Sequence, residues 1–397
     1  MKYKWLSLAA LMVVTPLSAD LQPISDSAMS EVTGQAFVSV DRQHHPDETN
    51  STSFTRVNLG MEIDIQSNID TLELGRYDRE GEKPGTADVL IDDFALGYIN
   101  NRAFFDRNPK AARQRKRDGS AFAENEIVPF QIDNPFFEFA MDEDSQEIVG
   151  FRLGFGKAMG MLSGKIETLT GNVNVDIIDK GQGLSNANSN GNFFDQAISF
   201  LAPLLTSGDP ISAKAQLVHG AEGDPNIGEL DPVRAEHIGI PNGKSFVIEG
   251  ANGFVRTSLN LLGGGLSSEF ELPGCGGLFC GGGDVIIEAQ DCAMLGIDVC
   301  FDLDNFNSFP IGEIEEVGNE RRIVAPADGA FISVQTKDLD WLEDVSKTNP
   351  TADDFIRATS GAFFNIPNGA TEVNLNQALN GTERVRTEYI DRGRGLF

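Results

Sequence analysis

Cys275, Cys280, Cys292 and Cys300 fall within 26 residues of a 397-residue chain, separated by four, eleven and seven residues. Thiols this close in sequence either crosslink or share a metal. A zinc site on four thiolates is usually built from C-x-x-C knuckles, which these spacings lack, so the pattern predicts two local disulfides, with the three possible pairings open. The run Gly274-Cys-Gly-Gly-Leu-Phe-Cys-Gly-Gly-Gly283 has few side chains with which to hold a shape. Closing its loops removes unfolded-state entropy worth ~2 to 4 kcal/mol per bridge.

Catalysis has no comparable signature. The chain has no G-x-S-x-G elbow and only four histidines, so no nucleophile stands beside an evident base. The adjacent His44 and His45 lie in a polar stretch, where neighbouring side chains seldom point the same way. His219 and His237 stand alone in the sequence. Calcium favours carboxylate and carbonyl oxygens, which nominates Asp302, Asp304 and Asn307, and more weakly Asp142-Glu143-Asp144, although neither stretch matches an EF-hand loop. Sixty acids allow a polysaccharide-cleaving carboxylate pair in principle, but sequence cannot choose two of them.

The net charge of −29 repels nucleic acid and anionic lipid and keeps an exported protein soluble. Hydrophobic residues make up 40% of the chain and charged residues only 23%, enough apolar surface for a real core rather than an acidic disordered tail. Lys2 and Lys4, an apolar run from Trp5 to Val14 and Pro16-Leu-Ser-Ala19 have the order of a secretory signal peptide, residues 1–19, too short to span a bilayer. Its removal takes two lysines and no acid, leaving −31. A basic stretch from Arg102 to Arg117 reads as an exposed loop that can meet an acidic face of a neighbouring copy. Between Arg107 and Arg117 no aromatic residue interleaves, against a nucleic-acid role.

The elements that must position these groups are mostly strands. Val57, Leu59, Met61, Ile63 and Ile65 are apolar at every second residue, as are Phe151, Leu153 and Phe155, and Val173, Val175 and Ile177, each set alternating with polar residues or glycine. Forty-two glycines and five Asn-Gly pairs supply tight turns. The expected fold is mainly β: large antiparallel amphipathic sheets, sandwich-like or an open curved sheet, with a few short helices. Expected turns include one near Gly160. Ser245–Ile248, Phe254–Leu262 and Phe331–Thr336 read as strands, while residues 26–33, Leu339–Val345 and 353–357 read as short helices. The polar run 41–50 reads as a loop. Phe193, Phe194, Ile198, Leu201 and Leu205 have helical spacing and are candidates for a lipid or partner contact. The organisation expected is a motif and loop at 20–50, a β-rich domain at 51–180, a linker or loop at 181–192, and a second β-rich region at 193–397 with disulfide-stapled loops at 275–300.

The segment Ile24-Ser-Asp-Ser-Ala-Met-Ser-Glu-Val-Thr-Gly-Gln-Ala36, directly after the signal, resembles the opening of a family of uncharacterised exported proteins of Gram-negative bacteria. Some members are named as pilus-system proteins. The likeness continues through Val57 to Gly75 and Phe151-Arg-Leu-Gly-Phe-Gly156. It implies an envelope or surface location and a role in a pilus-like assembly, with no catalytic residues to carry over. A non-enzymatic structural or interaction protein of the envelope is therefore expected, with envelope or surface proteins or other copies of itself as partners. The alternatives are a periplasmic carrier of lipid-like cargo and an integral outer-membrane barrel. The barrel reading is weakened by too few tryptophans and tyrosines for two aromatic girdles.

Overall fold

The computed structural model describes residues 38–179, 211–262, 270–277, 279–294, 297–318 and 320–388. The expected helix at 26–33, the resembling segment 24–36, the run 181–192 and the apolar stretch 193–205 lie outside the described residues.

The chain is mainly β. The strands that shape it are β1 Val38–His44, β2 Thr52–Leu59, β3 Glu62–Ile65, β4 Ser67–Arg76, β5 Ala87–Leu96, β6 Phe130–Asp133, β7 Phe136–Asp142, β8 Glu147–Gly154 and β9 Lys157–Leu169. They continue with β10 Gly171–Asp179, β11 Ile211–Val218, β12 Ser245–Ala251, β13 Gly283–Glu288, β14 Ser308–Ile311, β15 Phe331–Gln335, β16 Leu339–Leu342, β17 Phe355–Ala358 and β18 Gly361–Ile366. Short helices are α1 Arg102–Arg107, α2 Gly253–Leu262 and α3 Leu375–Asn380.

One large sheet runs β1-β2-β7-β8-β15-β18-β10-β11-β12-β13 and ends on a two-residue strand, Phe270–Glu271. The path is open, with β1 at one edge. Strands from both sides of the 181–192 run share it, and the described residues from Val38 onward form one compact unit. A second sheet runs β3-β6-β9-β5-β4. The two sheets are linked by bends: β2 passes into β3, β6 into β7 and β8 into β9, so three neighbouring strands turn the same corner and change sheet.

The corner explains why the alternating run Val57 to Ile65 is two strands rather than one. Gly60 and Met61 interrupt it. Across the corner Leu59 N–H donates to the Pro135 carbonyl and Asn134 N–H to the Met61 carbonyl, each at 2.9 Å. Asn134 has φ +51°, a conformation Asn tolerates. A Cβ on Gly156 would lie 2.4 Å from the Asn134 carbonyl oxygen.

The main core joins both sheets. Val89, Ile91 and Phe94 of β5 cluster with Val173, Val175 and Ile177 of β10, Leu217 of β11, Ile248 of β12 and Ile287 of β13. Burial of each such side chain contributes about 1.5–3 kcal/mol. One charge is buried beside it. The Asp88 carboxylate on β5 accepts from Arg234 Nε at 3.0 Å, Arg79 Nη1 at 3.3 Å and Ala362 N–H at 2.9 Å. A buried charge is tolerable only when paired in this way.

Several expectations are corrected. Gly160 lies inside β9, packed against Phe130, because β8 and β9 meet at a corner rather than a hairpin. Val173, Val175 and Ile177 lie on β10, which is separated from β9 by Thr170, and there Gly171 passes so close to β18 that a Cβ would lie 2.1 Å from the Phe364 carbonyl oxygen. Residues 253–262 form helix α2, since Val255, Leu259 and Leu262 repeat with a helical period that outweighs the branched residues among them. Leu339–Leu342 is a strand, because Leu339 and Trp341 alternate onto a buried face. Residues 352–354 make one 3-10 turn and 355–358 pair with β16. The expected loop at 41–50 begins only after His44, where β1 ends.

Candidate functional site

The first five strands of the large sheet carry their polarity inside out. On β7, Phe136, Glu138 and Ala140 point inward, while Phe137 and Phe139 are 38% exposed. On β8, Arg152 is 0% exposed and Phe151 37%. The usual sheet does the reverse, with apolar residues to the core and ions to water.

The inner face holds the ions by pairing them with one another, with backbone carbonyls and with aromatic rings. Glu138 accepts from Arg56 Nε at 2.9 Å and from Arg152 Nε at 2.5 Å. Arg152 Nη1 donates to the Leu342 carbonyl at 2.7 Å and Arg56 Nη1 to that of Val345 at 3.2 Å. The Arg152 guanidinium lies 4.9 Å from the Phe331 and Trp341 ring centroids and 5.2 Å from that of Phe136. The hairpin of β16 and β17 covers this face, with Trp341 and Leu339 against Phe54, Ala140, Val149 and Phe363. Gly150 permits the approach, since a Cβ there would lie 2.4 Å from Leu339 Cδ1.

The outer face is left apolar. Directly paired residues share a side of the sheet, and one row across it reads Val40, Val57, Phe137, Leu153 and Ile332. The next reads Arg42, Thr55, Phe139, Phe151 and Val334. Phe151 packs at 5.3 Å on Phe139 and stacks at 6.1 Å on Phe137. Val40 is 64% and Val334 50% exposed, with Val38 and Ile148 open at the margins. Neither row contains a carboxylate, in a chain with 60 acids. Arg42, at the rim, pairs with Glu143 at 3.2 Å. Beside this face β1 forms the edge of the sheet among the described residues, its backbone paired there with β2. The exposed apolar residues are thus contiguous rather than scattered, which makes this face the candidate for a binding surface.

The cysteines form two bridges, Cys275–Cys280 and Cys292–Cys300, which selects one of the three pairings and leaves no thiolates for zinc. Such bonds belong to an oxidising, non-cytoplasmic compartment. Among the described residues no helix is long and apolar enough to cross a membrane.

Asp302, Asp304 and Asn307 do not converge. Asp302 faces His237 Nε2 at 3.2 Å, Asp304 faces Lys165 Nζ at 3.6 Å, and Asn307 donates to the Asp304 and Asn305 carbonyls. Among the described residues no group of three or more His, Cys, Asp or Glu side chains is placed to hold a metal. His44 meets Glu143 at 3.2 Å, while His45 packs on the Phe355 ring at 4.5 Å. Asp142 caps its own turn by accepting the Asp144 and Ser145 amides, and Lys337 beside it holds its carboxyl below the usual value.

Most cations of the basic stretch have partners within the chain. Lys110 pairs with Glu316 at 3.2 Å, Arg115 with Glu320 at 2.8 Å, Lys116 with Glu126 at 2.5 Å and Arg117 with Asp133 at 2.6 Å. Arg113 lies 4.4 Å over Phe105.

Sequence reasoning missed a grouping around His219, whose Nδ1 is 3.3 Å from Asp224 and 3.7 Å from Asp231 in a pocket of about 240 Å³. Burial pushes the Asp231 carboxyl up, and His219 opposes that rise. These residues lie on irregular segments with no periodic signal to unite them. Comparison with protein-family models, curated proteins and solved structures finds no match.

Proposed function

We propose that this is a non-enzymatic, exported interaction protein of a Gram-negative cell envelope or surface, which docks an apolar partner surface on the outer face of β1-β2-β7-β8-β15. The observation that carries the reading is the pair of acid-free rows centred on Phe137, Phe139 and Phe151. With a little over a third of each residue exposed, the three phenylalanines forgo roughly 0.5–1 kcal/mol of burial apiece, which a partner recovers. The two disulfides and the signal-like N-terminus support export. The resemblance of residues 24–36 supports a pilus-like assembly as the setting.

The test is site-specific photo-crosslinking from position 139 in intact cells, followed by fractionation and mass spectrometry. An envelope or surface protein, or a second copy of this chain, should be captured from position 139 and not from position 316, in the strand Glu313–Val317 outside this sheet. Recovery of the protein in the cytosol with free thiols, or equal labelling from both positions, overturns the reading. The same open face also favours a carrier of lipid-like cargo. That second reading requires lipid to co-purify and to be detected by mass spectrometry after extraction.

A further inference from the structure

A cleft of about 450 Å³ lies between α1, the turn 303–305, β14 and α3, away from the aromatic face. Its polar lining is dominated by carboxamides, and their hydrogen bonds divide them in a consistent way. Asn108 Nδ2 donates to the Phe104 carbonyl at 3.2 Å and to Glu383 Oε2 at 3.0 Å. Asn307 Nδ2 donates to the Asp304 and Asn305 carbonyls at 3.4 Å. Asn380 Nδ2 donates to the Asn376 carbonyl at 3.0 Å.

A backbone carbonyl can only accept, so in all three residues the nitrogen is the atom facing the backbone and the oxygen is the other one. Asn108 and Asn307 spend both N–H donors on the fold and keep only the acceptor for a ligand, while Asn380 keeps its acceptor and one N–H. Gln377 is arranged oppositely. Its Oε1 accepts from Arg321 Nη1 at 2.9 Å and from Asn374 N–H at 3.2 Å, which leaves Nε2 as a donor. Apolar walls come from Phe104, Met161 and Pro310.

Three amide oxygens and a carboxylate disfavour a phosphate or carboxylate ligand. A bare cation is poorly served too, because the one carboxylate, Glu383, already takes the Asn108 donor and has Arg107 Nη2 at 3.9 Å. What remains is a neutral ligand that donates several hydrogen bonds, accepts one or two, and carries C–H surface for the apolar walls. The geometry points to a binding site for a neutral saccharide, of mono- or disaccharide size for a cavity in the usual ligand range. This site stands independently of the proposed docking face.

Saturation-transfer NMR on the full-length, disulfide-intact protein tests it, with glucose, galactose, N-acetylglucosamine, maltose, cellobiose and chitobiose as probes. At least one sugar should receive saturation. Asn307→Ala and Asn380→Ala should each weaken its binding roughly five- to tenfold, one lost hydrogen bond apiece. Glu383→Gln should hold it within about threefold, since the acceptor survives. Phe139→Ser should leave it unchanged, which separates this site from the docking face. If Asn380→Ala does not fold, Asn307→Ala carries the test. The proposal falls if no probe receives saturation, if folded Asn307→Ala binds as tightly as the parent, or if calorimetry shows Ca²⁺ alone binding and lost in Glu383→Gln.

Discussion

Arg152 Nε lies 2.5 Å from Glu138 Oε2, and both side chains are buried. Glu138 also holds Arg56, so this one carboxylate compensates two buried cations. Glu138→Gln would leave both guanidiniums without a countercharge. A loss of about 3–5 kcal/mol is expected, as for other buried pairs broken from one side. Trp341, 4.9 Å from the Arg152 guanidinium, is the only tryptophan besides Trp5. Urea unfolding followed by its fluorescence reads the change directly.

The outer face should respond in the opposite sense. Phe139→Ser, alone or with Phe151→Ser, is expected to lower stability by no more than about 1 kcal/mol per site, as for largely exposed positions. Partner capture in the crosslinking assay should drop at least tenfold. A large stability loss with undiminished capture would show these rings to be core rather than contact.

The two bridges should be separable. Peptide mapping without reduction is expected to give Cys275–Cys280 and Cys292–Cys300 as the linked pairs. The double change Cys292→Ser and Cys300→Ser opens a loop of sequence separation 8, which on the chain-entropy account costs about 2–3 kcal/mol. A shift of the denaturation midpoint measures it.

Two carboxylates should give opposite pH signatures. Burial, then the neighbouring Asp344, holds the Glu343 carboxyl above its ordinary value of 4.5. The native state therefore binds this proton more tightly than the unfolded chain, and the stability it lends at low pH is lost as pH rises through the raised value. Glu343→Gln should melt higher than the parent at pH 7, with the gap closing below about pH 4.5. Asp354 runs the other way. Lys347, then the Thr351 amide, lowers it from 3.8 to about 2. Its contribution is present above 3.8 and is lost as pH falls through about 2, so Asp354→Asn should melt lower at pH 7 and match the parent near pH 2. Thermal melts across this range check both.

Much of the architecture was legible because it rests on local rules. Alternation at Phe151, Leu153 and Phe155, turn glycines and clustered cysteines are properties of neighbouring residues, and they announce strands and disulfides without reference to the rest of the chain. The reading failed where period and propensity conflicted, as in α2, and where three strands turn a common corner. Gly60, Asn134 and Gly156 carry no signal in sequence until they meet.

Which side of each strand faces the core was decided only by tertiary structure. Alternation is symmetrical: the pattern Phe151-Arg152-Leu153 fits a sheet with either face inward. Glu138 lies 14 residues from Arg152 and 82 from Arg56, and Trp341 comes far later in the chain. Only when these assemble does the charged face acquire its countercharges, carbonyls and rings, so that burying ions costs less than it would in isolation and phenylalanines are left to face solvent. The sequence by itself determined that strands would form and cysteines would cluster. Long-range pairing decided that the exposed face would be the one a local reading assigns to the core.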